Sequence, residues 1–152
     1  MQSKKNTDKK NILFLCTGNS CRSQMAEGWA KKLLPESIEA FSAGTSPGRL
    51  DPLAVKVMQE AGVDISGERA KHLNELADRD FSFVITLCSG AKERCPLFPG
   101  PVVTIHHGFD DPPGFADTVE SEEALLNIYR RVRDEIRDFV RKLPEILDER
   151  GI

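Results

Sequence analysis

Four short apolar runs, separated by stretches of helical periodicity or by turn-rich loops, constrain this chain more than any other feature. Residues 11–15 are bounded by a polar tail and a turn and read as a buried strand. Residues 23–34 come next with Met25, Ala26, Trp29, Ala30, Leu33 and Leu34 at helical spacing, and Pro35 ends that segment. Residues 38–43 read as a second strand, stopped by Gly44. Asp51-Pro52 is a capping residue followed by proline at the first helical position, which predicts a helix to about Ala61 closed by Gly62. Residues 74–78 predict a short helical turn. FSFVITLC at 81–88, rich in β-branched and aromatic residues, predicts a third strand, and 102–106 a fourth. Ser121 then caps a long helix with Leu125, Ile128, Val132, Ile136, Phe139, Val140 and Leu143 on one face, which Pro144 kinks or ends. Apolar strands alternating with helices predict an α/β single domain, with a central four-stranded parallel sheet and helices on both faces in three Rossmann-like layers.

A length of 152 residues fits one domain with a sizeable core. Lys4, Lys5, Lys9 and Lys10 mark residues 1–10 as a flexible basic tail, leaving 11–152 as one catalytic domain. The net charge of -3 implies no general attraction to nucleic acid or to an anionic membrane. No apolar run approaches the roughly 18 residues of a membrane span. The run after the basic start is too short for a secretory signal, so a cytoplasmic location is expected. In that setting Cys16, Cys21, Cys88 and Cys95 point to catalysis, redox work or metal binding rather than to a disulfide framework. A monomer is the expected state.

CTGNSCRS, residues 16–23, joins the first strand to the first helix, with Cys16 and Arg22 six positions apart. A loop in that position turns backbone N–H groups inward as an anion nest, and the helix N-terminus adds positive potential. Thr17, Gly18, Asn19, Ser20, Cys21, Arg22 and Ser23 would form the cradle. Gly18 permits unusual backbone angles. Arg22 offers a planar fork to two oxygens of a tetrahedral oxyanion. Cys16 would lie beneath the anion as a thiolate that the nest and Arg22 stabilise, with Ser23 in reach of its sulfur. Cys21 is expected to pack against the nest wall.

LFLCTGNSCRSQMAEGWA resembles the active-site loop of the low-molecular-weight protein tyrosine phosphatase family, and specifically its thioredoxin-coupled arsenate reductases. The resemblance continues through FSAG at 41–44, VITLC at 84–88, CP at 95–96 and GFDDP at 108–112, and it covers residues 11 to about 141. It implies a three-cysteine relay. Cys16 attacks arsenate, Cys88 attacks Cys16 as arsenite departs, Cys95 attacks Cys88, and thioredoxin or a similar thiol reductant reduces the product. Cys88 and Cys16 both end predicted strands of a parallel sheet, whose C-terminal ends border one crevice. Across a helical 88–95 segment the two cysteines would stand about 10.5 Å apart. A disulfide tolerates only about 4.4–6.8 Å between Cα atoms, so that segment must loop or unwind.

The resemblance makes Asp111, directly before proline, the general acid, and Asp110 is expected to cap or brace the loop. It also makes Asn19 and Ser42 braces of the cradle. Some members bind potassium there through those two and a Thr-x-Asp pair. This chain has Arg69 and Lys71 at the pair's positions, so a lysine ammonium is expected in place of the cation. No cofactor is implied. No metal is expected either, because His106 and His107, adjacent on a strand, point to opposite faces and chelate poorly. The rivals are a protein tyrosine phosphatase, acting through a phosphocysteine at Cys16, and a non-catalytic thiol sensor of anions or arsenicals. The first would not need Cys88 and Cys95, and the second would not need Asp111.

Overall fold

The computed structural model describes residues 9–89, 98 and 102–149. Its elements run β1 (Lys10–Cys16), α1 (Arg22–Leu33), β2 (Ile38–Gly44), α2 (Pro52–Glu60), a 3-10 turn (Leu73–Leu76), β3 (Phe83–Thr86), β4 (Val103–His106), a second 3-10 turn (Pro112–Phe115) and α3 (Glu122–Glu149). The strands form one parallel sheet in the order β2-β1-β3-β4. The chain therefore leaves β1 for β2 on one side and later returns to β3 on the other. That reversal opens a crevice at the C-terminal ends of β1 and β3, where ligands bind in open α/β sheets.

Side-chain alternation divides the sheet between two cores. Ile12, Phe14, Phe83, Ile85 and Ile105 face the main core, which they share with residues of α1, α2 and α3. Leu13, Leu15, Ala43 and Val84 face the other way, under Leu73 and Leu76 of the first 3-10 turn and beside Phe41, Phe81, Phe98 and Val102. On this second face, Phe81 meets both Phe41 and Phe98 edge-on.

Helix α1 is buried along Arg22 to Ala30, because it lies in the middle of the main core. Its Gly28 is needed for that approach: a Cβ there would stand 2.8 Å from Ile65 Cγ2. Trp29 Nε1 donates to the Arg133 carbonyl (3.2 Å) and ties α1 to α3. The start of α2 follows the predicted cap, with the Leu53 N–H donating to Asp51 Oδ1 (2.9 Å). Past its end, Gly62 takes a positive φ of 86° that glycine adopts without strain.

Two expectations need correction. Pro144 does not end α3, which runs on to Glu149. Pro144 is exposed, while Leu143 and Leu147 keep the apolar face docked, and that burial outweighs the missing N–H. The third strand is shorter than 81–88. Leu87 still donates to the Leu15 carbonyl (3.0 Å), but Cys88 lies beyond the ladder. The predicted tail at 1–10 falls largely outside the described residues, as does Cys95.

Candidate oxyanion site

Residues 17–21 turn from β1 into α1, and their carbonyls are held from outside. Ser46 N–H donates to Thr17 O (2.9 Å), Gly48 N–H to Gly18 O (3.1 Å) and Asp51 N–H to Ser20 O (2.9 Å). Gln24 Nε2 donates to Asn19 O (3.1 Å). Among the described residues no peptide bond is cis. In a planar trans peptide the N–H points away from the preceding C=O. The amides of Gly18, Asn19, Ser20 and Cys21 are therefore turned away from those outer tethers, toward the inside of the cradle. Four donors converging at a helix N-terminus make an anion nest. The Thr17 hydroxyl oxygen is buried with no hydrogen-bond partner among the described residues, which suits a site whose occupant supplies acceptors.

Asn19 is the residue that shapes the turn. It takes φ 49°, among the described residues the single non-glycine with positive φ. Its side chain holds that conformation. Oδ1 accepts from the Lys71 N–H (2.9 Å) and from Gln24 Nε2 (3.2 Å), and Nδ2 donates to Ser23 Oγ (2.8 Å). Ser23 Oγ lies 3.0 Å from Cys16 Sγ. Asn19, Ser23 and the sulfur thus form one continuous chain of side-chain contacts, which fixes Cys16 Sγ at the base of the turn.

Arg22 is 4% exposed and ties three loops together. Nη1 donates to Leu87 O (3.3 Å) after β3 and to Phe109 O (3.1 Å) after β4. Nε stands 3.4 Å from Asp111 Oδ1, and that carboxylate is 43% exposed at the head of the second 3-10 turn. The general-acid candidate thus sits over the arginine at the solvent side of the cradle. Asp110 braces from without, through Arg131 Nη2 on α3 (3.0 Å).

Cys16 and Cys21 are free thiols, and Cys88 is disulfide-bonded. Cys88 is fully buried and directly follows Leu87, whose carbonyl Arg22 holds. Burial pushes the Cys21 thiol well above its ordinary range, and the charges of Asp51 and Asp111 push the same way. A thiol held protonated and buried agrees with packing rather than nucleophilic work.

The remaining site expectations divide. Ser42, read as a brace with Asn19, donates to Glu27 Oε1 on α1 (2.5 Å). The expected lysine substitution for a cation falls on a different residue. Lys71 turns its ammonium to the Arg69 carbonyl (3.3 Å) and reaches Asn19 only through its backbone N–H. Lys31 is the ammonium beside this cluster, 2.6 Å from Glu27 Oε2. With Asn19 Oδ1 serving two donors, Ser42 committed to Glu27 and Lys31 already paired there, these residues do not fit a potassium ion. Titrating potassium against turnover is expected to leave the rate unchanged, and a marked activation would contradict this assignment. Among the described residues no group of three or more His, Cys, Asp or Glu could hold a metal ion. His106 Nδ1 pairs with Thr86 Oγ1 (2.9 Å), and His107 stacks on Phe109 and packs tilted against Phe139 (4.7 and 4.4 Å between ring centroids), so both shape the wall beside the acid loop.

Sequence reasoning gave no site role to Gln24, Gly44 or Tyr129. Gln24, a buried amide on an otherwise apolar helix stretch, carries a legible signal, since a polar group there needs partners. Gly44 and Tyr129 touch the loop's surroundings only through the fold.

A strand-to-helix turn of inward amides, closed by an arginine and floored by a cysteine at the switch point of a parallel sheet, defines a class of thiol-centred oxyanion-loop folds. Within that class the chain belongs to a family described as low molecular weight phosphotyrosine protein phosphatase, whose model matches residues 11–151. An arsenate reductase of Bacillus licheniformis is 47% identical over 137 residues, covering 90% of this chain and 96% of the relative. A solved structure described as an arsenate reductase in the phosphate binding state superposes with TM-score 0.73 at 34% identity, covering 88% of this chain and 95% of the other. A low molecular weight protein tyrosine phosphatase from T. tengcongensis gives TM-score 0.67 at 29% identity, over 90% and 99% of the two chains. The same fold therefore carries proteins of two names, and the residues must decide between their chemistries. Among the described residues no helix is long and apolar enough to cross a membrane.

Proposed function

We propose that this protein is an arsenate reductase that carries two electrons from thioredoxin to arsenate through Cys16, Cys88 and Cys95. One observation supports this reading above the others. Cys16 is free beneath the inward amides, while Cys88, next to a carbonyl held by Arg22, is oxidised. A phosphatase has no use for a second cysteine that enters a disulfide one residue past a carbonyl its arginine holds.

Atoms and electrons balance at each step. The Cys16 thiolate attacks arsenic, an S–As bond forms, and an arsenate oxygen leaves as water with a proton supplied from Asp111. The Cys88 thiolate then attacks Cys16 Sγ. The S–As bond breaks and its electron pair goes to arsenic, so As(V) becomes As(III) and arsenite departs as a Cys16–Cys88 disulfide forms. Cys95 attacks Cys88, frees Cys16 and leaves a Cys88–Cys95 disulfide, which thioredoxin reduces by thiol exchange. A free Cys16 and a bonded Cys88 are the state these steps would leave at their end. Thr17 to Ser23 supply the oxyanion cradle, and Asn19 holds its shape. Phosphate has the same tetrahedral geometry, so slow hydrolysis of phosphate esters through a phosphocysteine at Cys16 is expected as a side reaction.

The test is arsenate-dependent NADPH oxidation with thioredoxin and thioredoxin reductase. The reading expects sustained turnover, and robust ester hydrolysis without arsenate turnover would reverse it in favour of the phosphatase. Asp111→Asn tests the acid. It is expected to lower kcat by about a hundredfold, the low end of general-acid effects, with thermal stability retained, because a carboxylamide cannot give up the proton. Full activity in this variant would remove Asp111 from the mechanism.

A further inference from the structure

Asp51 carries a negative charge toward a site built for anions. Its carboxylate acts on Cys21 with the same sign as Asp111, raising that thiol's pKa through space. Its backbone N–H holds the Ser20 carbonyl, so it also sets the last outward peptide of the cradle. Among the described residues this carboxylate forms no ion pair. It has two neutral donors instead: the Leu53 N–H on Oδ1 (2.9 Å) and the Tyr129 hydroxyl on Oδ2 (2.6 Å). Tyr129 comes from α3, which is otherwise remote from the loop in sequence, and its ring is buried. A fixed hydrogen bond to a carboxylate holds its charge in one place and disperses it.

Resting on the oxyanion-loop reading above, we propose that Tyr129 is a positioning residue for the cradle: its hydroxyl clamps Asp51 away from the bound anion and fixes the tether to Ser20. Without the hydroxyl, Oδ2 loses its donor. The carboxylate keeps the helix cap but gains freedom to turn toward the cradle, where it repels an incoming dianion. Burial, then the hydrogen bond and charge of Asp51, keep the Tyr129 hydroxyl protonated far above neutrality, so the clamp persists across the working pH range.

The experiment measures inorganic phosphate binding by calorimetry to the full-length wild type, Tyr129→Phe, Asp51→Asn and the double variant, with thermal melts as the folding control. Tyr129→Phe is expected to weaken phosphate about tenfold. The KM for arsenate should rise by the same factor while kcat stays near the wild-type value. Asp51→Asn removes the charge that the tyrosine restrains, so in that background Tyr129→Phe should cost little. A purely structural tyrosine predicts instead a lowered melting temperature and a phosphate deficit that persists in the double variant. Wild-type phosphate affinity in Tyr129→Phe, or an undiminished deficit in the double variant, would overturn the proposal. Failure of the wild type itself to bind phosphate would remove the oxyanion reading, and this inference with it.

Discussion

Cys16→Ser is expected to abolish both arsenate-dependent NADPH oxidation and phosphate-ester hydrolysis, whereas Cys88→Ser and Cys95→Ser are expected to abolish the first and spare the second. The split follows from the proposed relay, in which the two reactions share one nucleophile and diverge once its covalent adduct has formed. A serine hydroxyl beneath the cradle is not ionised near neutrality, so neither an S–As nor an S–P bond can form. With Cys88→Ser, the first adduct still forms at Cys16, but no neighbouring thiol can take the sulfur and release As(III). With Cys95→Ser, the chain completes one reduction and stops as a Cys16–Cys88 disulfide, yielding a single equivalent of arsenite in the absence of small thiols. Peptide mapping without reductant reads that trapped bond directly. Sustained thioredoxin-coupled turnover in Cys88→Ser would remove the relay. Loss of ester hydrolysis in Cys88→Ser, with the fold intact, would mean that this residue serves the cradle itself rather than electron transfer.

The parts of this site that lie close together in sequence are legible without coordinates. Cys16, Arg22 and Ser23 fall on one strand–turn–helix unit, so their spacing alone brings them together, and the Ser23–sulfur contact comes from one helical position. Strand order is legible only as an alternation of elements, because apolar runs do not say which neighbour each strand chooses. The switch between β1 and β3, which puts Leu87 within reach of Arg22, is a property of the closed sheet. Ser42 shows the same limit from the other side. Its place in a motif is readable, but a hydroxyl bonds the nearest strong acceptor, and in the fold that is Glu27. Residue type at 71 points to an ammonium, yet it is the backbone N–H of Lys71 that makes the contact with Asn19. Pro144 reads as a kink or a stop because local propensity argues so. Leu143 and Leu147, buried on either side of it, show that tertiary burial can carry a helix through.

Gly44→Ala is expected to disable the cradle with every chemical group still present. Gly44 ends β2 opposite Cys16 in the β1–β2 register, and its N–H donates to the Lys71 carbonyl (3.0 Å). A Cβ at this position would run into the Thr17 carbonyl oxygen, with Asn19 N and Cys16 O each 3.0 Å away. All three are backbone atoms of the loop, so no side-chain rotation relieves the clash. The loop or the end of β2 must move, although the Thr17 carbonyl is already fixed by Ser46 N–H (2.9 Å). Overpacking of this kind costs about 1–3 kcal/mol. For a domain of this size that corresponds to a drop in Tm of about 2–12 °C. The functional loss should be larger than the stability loss. A displacement of about 1 Å in a preorganised site can cost on the order of a hundredfold in rate, and here it would fall on the inward amides and on Cys16 together. Phosphate binding and arsenate turnover should therefore fail at temperatures where the fold persists by circular dichroism. Gly67→Ala is the matched control, since a Cβ there meets open space. Wild-type phosphate affinity in Gly44→Ala would mean that the loop yields without cost, and the outward tethers would then not be what holds its amides in place.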